Sequence, residues 1–151
     1  MRIYFDVSCL NRPFDDQAQD RVRLETLAVT SILEECARSR WEHVSSVMAI
    51  IEIDAIPDVE RQRKVRQLLP PRNDIIDLEN PILGTAKMVE LMGFSKADAA
   101  HIAAAEAHNA DVLLTTDDRF LRAAQRSRRR LAVKVANPAK WLEEQRDVQD
   151  T

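Results

Sequence analysis

Features that would place the chain in several common protein classes are scarce or missing. The sequence has only two cysteines, Cys9 and Cys36, and they lack the paired spacing of a zinc or redox site. We therefore interpret both as small core residues. No apolar run approaches the roughly 20 residues that a membrane-spanning helix needs. The N-terminus also lacks the basic, apolar and small-residue pattern of a secretory signal, so we expect a cytoplasmic protein without membrane contact.

An excess of positive charge is also missing. The net charge of −3 argues against a uniformly basic nucleic-acid-binding protein, although it allows local basic patches. The chain has 151 residues, of which 45% are hydrophobic, which is enough for one domain with a real core and not comfortably two. We expect one domain over residues 1–144, followed by a polar C-terminal tail over residues 145–151.

What the sequence does contain is an alternation of short apolar segments with segments of helical periodicity. The predicted strands lie within residues 1–10, 41–46, 74–78, 111–116 and 131–135. The predicted helices cover residues 19–38, 47–56, 58–69, 80–93, 95–109 and 119–126, with a last one from 137. This alternation predicts an α/β fold with a mainly parallel central sheet of about five strands flanked by helices.

Four acidic residues have unusual positions in this pattern. Asp6 and Asp117 directly follow apolar strands, which end at the same edge of a parallel sheet. Asp98 lies in the first turn of a predicted helix that starts near this edge. Glu52 lies among isoleucines on a helix that faces the core, where a carboxylate must be paired, hydrogen-bonded, protonated or bound to metal. Four acidic side chains that lie close together without an equal number of basic side chains predict a bound divalent cation.

Each acid also has a purely structural interpretation. Asp6 would cap a turn at the end of its strand. Asp98 would complete a capping box, and Asp117 or Asp118 would cap the following helix. Glu52 would form a buried ion pair with an arginine. The functional interpretation therefore depends on the four acids meeting at one place.

Four motifs give the chain a resemblance to the PIN-domain ribonucleases, which include the toxins of bacterial toxin–antitoxin pairs. They are IYFDVSCL at 3–10, SSVMAIIEI at 45–53, KADAAHIA at 96–103 and TTDDRF at 115–120. The resemblance covers nearly the whole chain. It implies a PIN-like domain and a Mg²⁺- or Mn²⁺-dependent endoribonuclease in which the catalytic and metal-binding residues are Asp6, Glu52, Asp98 and Asp117. It also implies a homodimer and, for a toxin, an antitoxin partner that covers the acidic site.

Polar residues beside the motifs are candidates for supporting roles. Ser8, Asn11 and Thr115 are candidate donors to the acids or to the substrate phosphate, although ordinary turn bonding explains each of them as well. Arg12 and Arg119 flank the acids and are candidate phosphate contacts. The basic segments 61–66 and 126–130 are further candidates, or simply solvated faces.

Two neighbouring assignments follow from the same motifs. The family pattern of Thr115, Asp117 and Phe120 selects Asp117 as the ligand and leaves Asp118 to cap the helix, because successive strand side chains point to opposite faces. His101 lies one helical turn after Asp98, and we favour packing or hydrogen bonding for it over a role as general base.

Two other functions stay open. An acid-rich Mg²⁺ phosphohydrolase with an aspartyl nucleophile would typically carry a second Asp two positions after the first, where this chain has Ser8. A catalytically weak PIN-fold module would only bind RNA or a partner, but all four acids are present.

Overall fold

A single parallel sheet forms the centre of the fold. The computed structural model describes residues 1–150. The strands are β1 (Arg2–Phe5), β2 (Glu42–Ser46), β3 (Ile75–Ile76), β4 (Val112–Leu114) and β5 (Lys134–Ala136). Their order in the sheet is β3-β2-β1-β4-β5, and every neighbouring pair is parallel. The predicted α/β fold with a five-stranded parallel sheet is confirmed.

Helices cover both faces of this sheet. They are α1 (Val7–Asn11), α2 (Asp20–Ala37), α3 (Val47–Asp54), α4 (Val59–Arg66), α5 (Asn80–Glu90), α6 (Lys96–Ala107), α7 (Asp118–Arg126) and α8 (Pro138–Gln149). Two short 3₁₀ turns span Arg12–Phe14 and Arg72–Asp74. Within residues 1–150, no helix combines the length and apolar character that crossing a membrane requires.

The central strand β1 explains why the sequence begins with an apolar run. Ile3 and Phe5 point into a cluster with residues of α2 and α8, whereas Tyr4 points into the opposite cluster with residues of α6 and α7. All three side chains are fully buried. Burial of such a side chain contributes about 1.5–3 kcal/mol, so both faces of the strand select large apolar residues.

The structure corrects the predicted length of the first strand. β1 ends at Phe5, so Asp6 directly follows the strand as predicted, but the rest of the predicted segment is not extended, because after Asp6 the chain turns at once into α1. Val7, Cys9 and Leu10 are buried in α1. An apolar run cannot distinguish a buried strand from a strand followed by a buried helix, because neither requires polar residues.

The C-terminal boundary also differs from the prediction. α8 extends through Gln149, so residues 145–149 of the predicted tail are helical, and residue 151 lies outside the described residues. The Asn137 side chain caps the first turn of α8, and Trp141 packs edge-on against Trp41 at 5.2 Å between ring centroids. Helix nucleation is the unfavourable step in free energy, and adding residues to an existing helix costs little. A helix that is capped and packed in this way therefore extends into the polar segment.

Candidate metal centre

The carboxyl edge of the two central strands brings the predicted acids together. The backbone N–H of Asp6 donates to the Leu114 carbonyl at 2.8 Å, so β1 and β4 stay paired up to the point where Asp6 leaves the sheet. The Ser46 side chain caps α3 at the end of β2 and directs this helix, which carries Glu52, across the same edge. Local capping and strand pairing therefore position two of the acids.

Two hydroxyl groups fix the carboxylate of Asp6. Oδ2 accepts hydrogen bonds from Ser8 Oγ at 2.8 Å and Thr115 Oγ1 at 2.7 Å. These hydroxyls in turn accept from the backbone N–H groups of Thr116 and Asp117, both at 3.1 Å. Asp6 is only 6% exposed. Because Oδ2 is fully engaged, the carboxylate presents its other oxygen, Oδ1, to the centre of the site.

Glu52 and His101 complete a compact group with Asp6. One ligand atom from each of the three residues lies within 4.8 Å of the others. His101 Nε2 lies 3.6 Å from Asp6 Oδ1 and is in close contact with Glu52 Oε1. His101 Nδ1 lies 2.6 Å from the Tyr4 hydroxyl. The predicted convergence of Asp6 and Glu52 is therefore present, with a fully buried imidazole between them.

The protonation of His101 reflects opposing influences. Burial by itself lowers the pKa of the imidazole, but the hydrogen bond to Glu52 and the charges of Asp6, Glu52 and Asp98 outweigh it and raise the pKa above its usual value. The imidazole therefore lies between two carboxylates that stabilise its cationic form. The preference for hydrogen bonding over general-base chemistry at His101 agrees with these contacts.

Asp98 lies close enough to the group to sense its charge. It is half-buried in the first turn of α6, where its backbone N–H donates to Ser95 Oγ at 3.1 Å. Desolvation is the main cause that raises the pKa of its carboxyl to about 6, and the charges of Asp6 and Asp117 add to the rise. Such repulsion among carboxylates is what a bound cation relieves.

Asp117 lies on the exposed rim of the site and also caps a helix. Its Oδ1 accepts from the backbone N–H groups of Arg119 at 2.9 Å and Phe120 at 3.4 Å. The prediction that Asp118 caps this helix is wrong. Because β4 ends at Leu114 and α7 begins at Asp118, the capping position falls on Asp117. Asp118 instead pairs with Arg21 through two bonds of 2.8 Å.

The predicted substrate contacts have different environments. Arg12 donates from Nε to Glu25 at 2.8 Å and forms an ion pair with Asp15 at 3.0 Å. The Asn11 amide donates to the Val7 carbonyl at 3.2 Å. Both side chains are thus engaged within the protein. Arg119 is exposed and forms no ion pair with any carboxylate of residues 1–150.

Sequence reasoning missed the buried carboxylate of Glu25. This side chain is 2% exposed and accepts from Arg12, from Arg21 at 3.2 Å and from Asn137 at 2.6 Å. A detectable signal exists, because Glu25 shares the buried face of α2 with Val22 and Ala28. A carboxylate on a buried apolar face must have hydrogen-bond or ion-pair partners. The sequence pattern shows that Glu25 needs such partners, but it does not show which residues they are.

The donor set fits a hard divalent cation. Carboxylate oxygens are the ligands that suit Mg²⁺ and Mn²⁺, whereas imidazole suits later transition metals. His101 Nε2 is in contact with Glu52 Oε1, so the carboxylates provide the oxygen atoms of this group. The carboxylates of Asp6 and Glu52 therefore form an acidic group suited to a divalent metal, and Asp98 lies outside the set of ligand atoms that are within 4.8 Å of one another.

The fold and this acidic site define an α/β protein whose chemistry is concentrated at the carboxyl edge of a parallel sheet. The family model described as PIN domain matches residues 3–126, and the chain belongs to the PIN-domain family. Members of this family are typically nucleases. A comparison with curated proteins finds no match.

Solved structures share the fold at low sequence identity. FitAcB from Neisseria gonorrhoeae has a TM-score of 0.58 and 18% identity, over 90% of this chain and 97% of its own. VapBC2 from Rickettsia felis, bound to a DNA fragment from their promoter, has a TM-score of 0.59 and 17% identity, over 91% of this chain and 98% of its own. At this identity the likeness concerns the fold.

Proposed function

We propose that the chain is a Mg²⁺- or Mn²⁺-dependent endoribonuclease of PIN type and the toxin of a toxin–antitoxin pair. The observation that carries the proposal is the orientation of Asp6. Two hydroxyls engage its Oδ2, and Oδ1 faces Glu52 and His101. A carboxylate that only capped a turn would need no such support. The chain belongs to a family whose members are typically nucleases, so phosphodiester hydrolysis is the reaction that we propose for this site.

The residues have distinct roles in this proposal. Asp6, Glu52 and Asp98 would hold the cation. When bound, a divalent cation supplies positive charge for the scissile phosphate and lowers the pKa of water. Ser8 and Thr115 hold Asp6 in its ligating orientation. Asp117 uses Oδ1 as a helix cap and retains Oδ2, which orients a water molecule by accepting its hydrogen bond.

The experiment is cleavage of single-stranded RNA by purified, chelator-treated protein, with and without added Mg²⁺ or Mn²⁺. We expect cleavage only with metal and expect Asp6→Asn to abolish it. Asp147→Asn is the matched control, because Asp147 is an exposed acid of α8 away from the site. Hydrolysis of a phosphomonoester instead of RNA would favour the phosphohydrolase alternative. No hydrolysis of either substrate would favour a binding module.

Two partners belong to the proposal besides RNA. We propose a homodimer and a cognate antitoxin that covers the acidic site. The fold likeness to VapBC2, which was solved with a DNA fragment from their promoter, supports a partner that links this nuclease to DNA. Sedimentation of the purified protein tests the dimer. Co-expression with the product of an adjacent small gene tests the antitoxin, which we expect to co-purify and to suppress cleavage.

A further inference from the structure

Most arginines of the chain form ion pairs with carboxylates, but the arginines of one segment do not. Residues 119–130 contain six arginines and no acid, although the chain carries a net charge of −3. All six are exposed, and within the described residues 1–150 none forms an ion pair. Ten of the eleven other arginines do pair with a carboxylate. Unpaired arginines are therefore concentrated in one segment.

The helix geometry places this charge on one face. Arg119, Arg122 and Arg126 stand at positions i, i+3 and i+7 of α7, which share a side of a helix. Phe120 and Ala123 point into the core from another side. The three arginines span about 10 Å along the helix axis. Arg129 follows in the turn after α7, and we call these four arginines the α7 stripe.

The stripe begins at the acidic site. Asp117, the capping residue of α7, accepts the backbone N–H of Arg119, which is the first member of the stripe. The one acid in this turn of the helix, Asp118, is already held by two bonds from Arg21. The charge of Arg122 also acts on Asp118, but no arginine of the stripe forms an ion pair with it. A line of guanidinium groups without ion pairs in residues 1–150 thus leads away from the carboxylates.

We propose that the α7 stripe binds the phosphate backbone of the RNA strand on one side of the scissile bond. This inference rests on the proposed function, because only a nuclease site places a phosphodiester at Asp117. Guanidinium groups bind phosphate oxygens through paired hydrogen bonds and keep their charge at all working pH values. An RNA strand leaving an acidic site needs such neutralisation, since the carboxylates themselves repel it.

The test is the salt dependence of RNA binding. Fluorescence anisotropy of a labelled single-stranded RNA is measured in EDTA over a series of KCl concentrations. The triple variant R122Q/R126Q/R129Q is compared with K87Q/K140Q/R146Q, which removes the same charge from exposed cations of α5 and α8 without ion pairs in residues 1–150. For single strands, each lost phosphate contact reduces the slope of log K against log salt by about 0.7, so the stripe variant should lose about 2. The control variant should keep the wild-type slope.

Further variants separate charge from folding and binding from catalysis. R122K/R126K/R129K should restore most of the slope, because lysine keeps the charge. Cleavage of a dinucleotide with Mn²⁺ should be unaffected by the stripe variant, because its single phosphodiester is the scissile one and leaves no further phosphate for the stripe. Absent cleavage by the wild type would reject the proposed function and leave the binding slopes interpretable. Equal slopes for the stripe and control variants, or no RNA binding by the wild type at low salt, would overturn the stripe.

Discussion

Arg21 binds Asp118 through two hydrogen bonds of 2.8 Å between residues 97 positions apart in sequence. The same guanidinium donates to the Thr116 carbonyl at 2.9 Å and to the buried carboxylate of Glu25. Arg21 therefore ties α2 to both residues that flank Asp117. The turn that presents the fourth acid is held from outside the sheet, by a helix that carries none of the four acids.

Glu25 supports this connection, so we expect Glu25→Ala to destabilise the fold. The substitution removes the acceptor of Arg12, Arg21 and Asn137 and should cost about 3 kcal/mol of unfolding free energy. Glu34→Ala is the matched control, because Glu34 is an exposed residue of the same helix and should change stability by less than about 0.5 kcal/mol. Urea denaturation of the two variants measures the difference. Equal losses would mean that the Glu25 network contributes nothing beyond helix propensity.

Asp117 and Asp118 should differ sharply in cleavage. We expect Asp117→Asn to impair RNA cleavage strongly with little loss of stability, because asparagine caps a helix nearly as well as aspartate. Asp118→Asn should retain most activity, since its side chain faces Arg21 and not the acids. Initial rates at saturating Mn²⁺ on single-stranded RNA compare the two. An inactive Asp118→Asn beside an active Asp117→Asn would reverse the assignment of the fourth acid.

Metal should stabilise the folded protein. A cation that binds only the folded state adds about 2.7 kcal/mol at a concentration one hundred times its Kd, and it relieves the repulsion from Asp6 and Asp117 that adds to the effect of desolvation on the pKa of Asp98. We expect the melting temperature to rise as Mg²⁺ or Mn²⁺ is titrated into chelator-treated protein. Asp6→Asn should reduce the rise, whereas Asp147→Asn should not. A flat titration of the wild type would argue against a metal site.

Acid should weaken the fold through His43, which lies on β2 and packs edge-on against Phe5. Burial lowers the pKa of this imidazole to about 4, and Nε2 has no hydrogen-bond partner within residues 1–150. Protonation thus favours the unfolded chain, and stability present above about pH 6.5 is lost as pH falls towards 4. At pH 5 the loss should be about 1–2 kcal/mol. His43→Gln should flatten the dependence of unfolding free energy on pH between 7 and 5, and an unchanged dependence would contradict the assignment.

The sequence predicted the fold well because each element has a local signal. Strand alternation, the Ser95 cap and the Asn137–Pro138 helix start all depend on residues a few positions apart, and the structure has them where expected. The errors fell where a local signal was ambiguous. The apolar run after Asp6 forms a helix. The polar end of α8 is also helical, because it continues a helix whose first turns are anchored by the packing of Trp141, and that packing is a tertiary contact that local sequence patterns do not predict.

The candidate site was predictable in position but not in its contacts. Asp6 and Asp117 follow strands, so a shared edge follows from topology. The partners of Arg12 could not be inferred in the same way, because Glu25 is chosen by how α2 packs on the 3₁₀ turn. The contact between His101 and Glu52 likewise depends on the crossing of α3 and α6. Long-range side-chain pairing depends on such packing, which sequence periodicity does not encode.

The position of β1 in the sheet has a consequence during synthesis. The strand made first pairs on one side with β2 but on the other side with β4, where Ile3 faces Val112. The hydroxyl of Thr115 that holds Asp6 comes just after β4. A nascent chain on the ribosome therefore carries Asp6 and Glu52 long before it can orient them, and pairing this distant in sequence forms late. The acidic site of the unfinished polypeptide therefore stays incomplete until more than two-thirds of the chain has emerged.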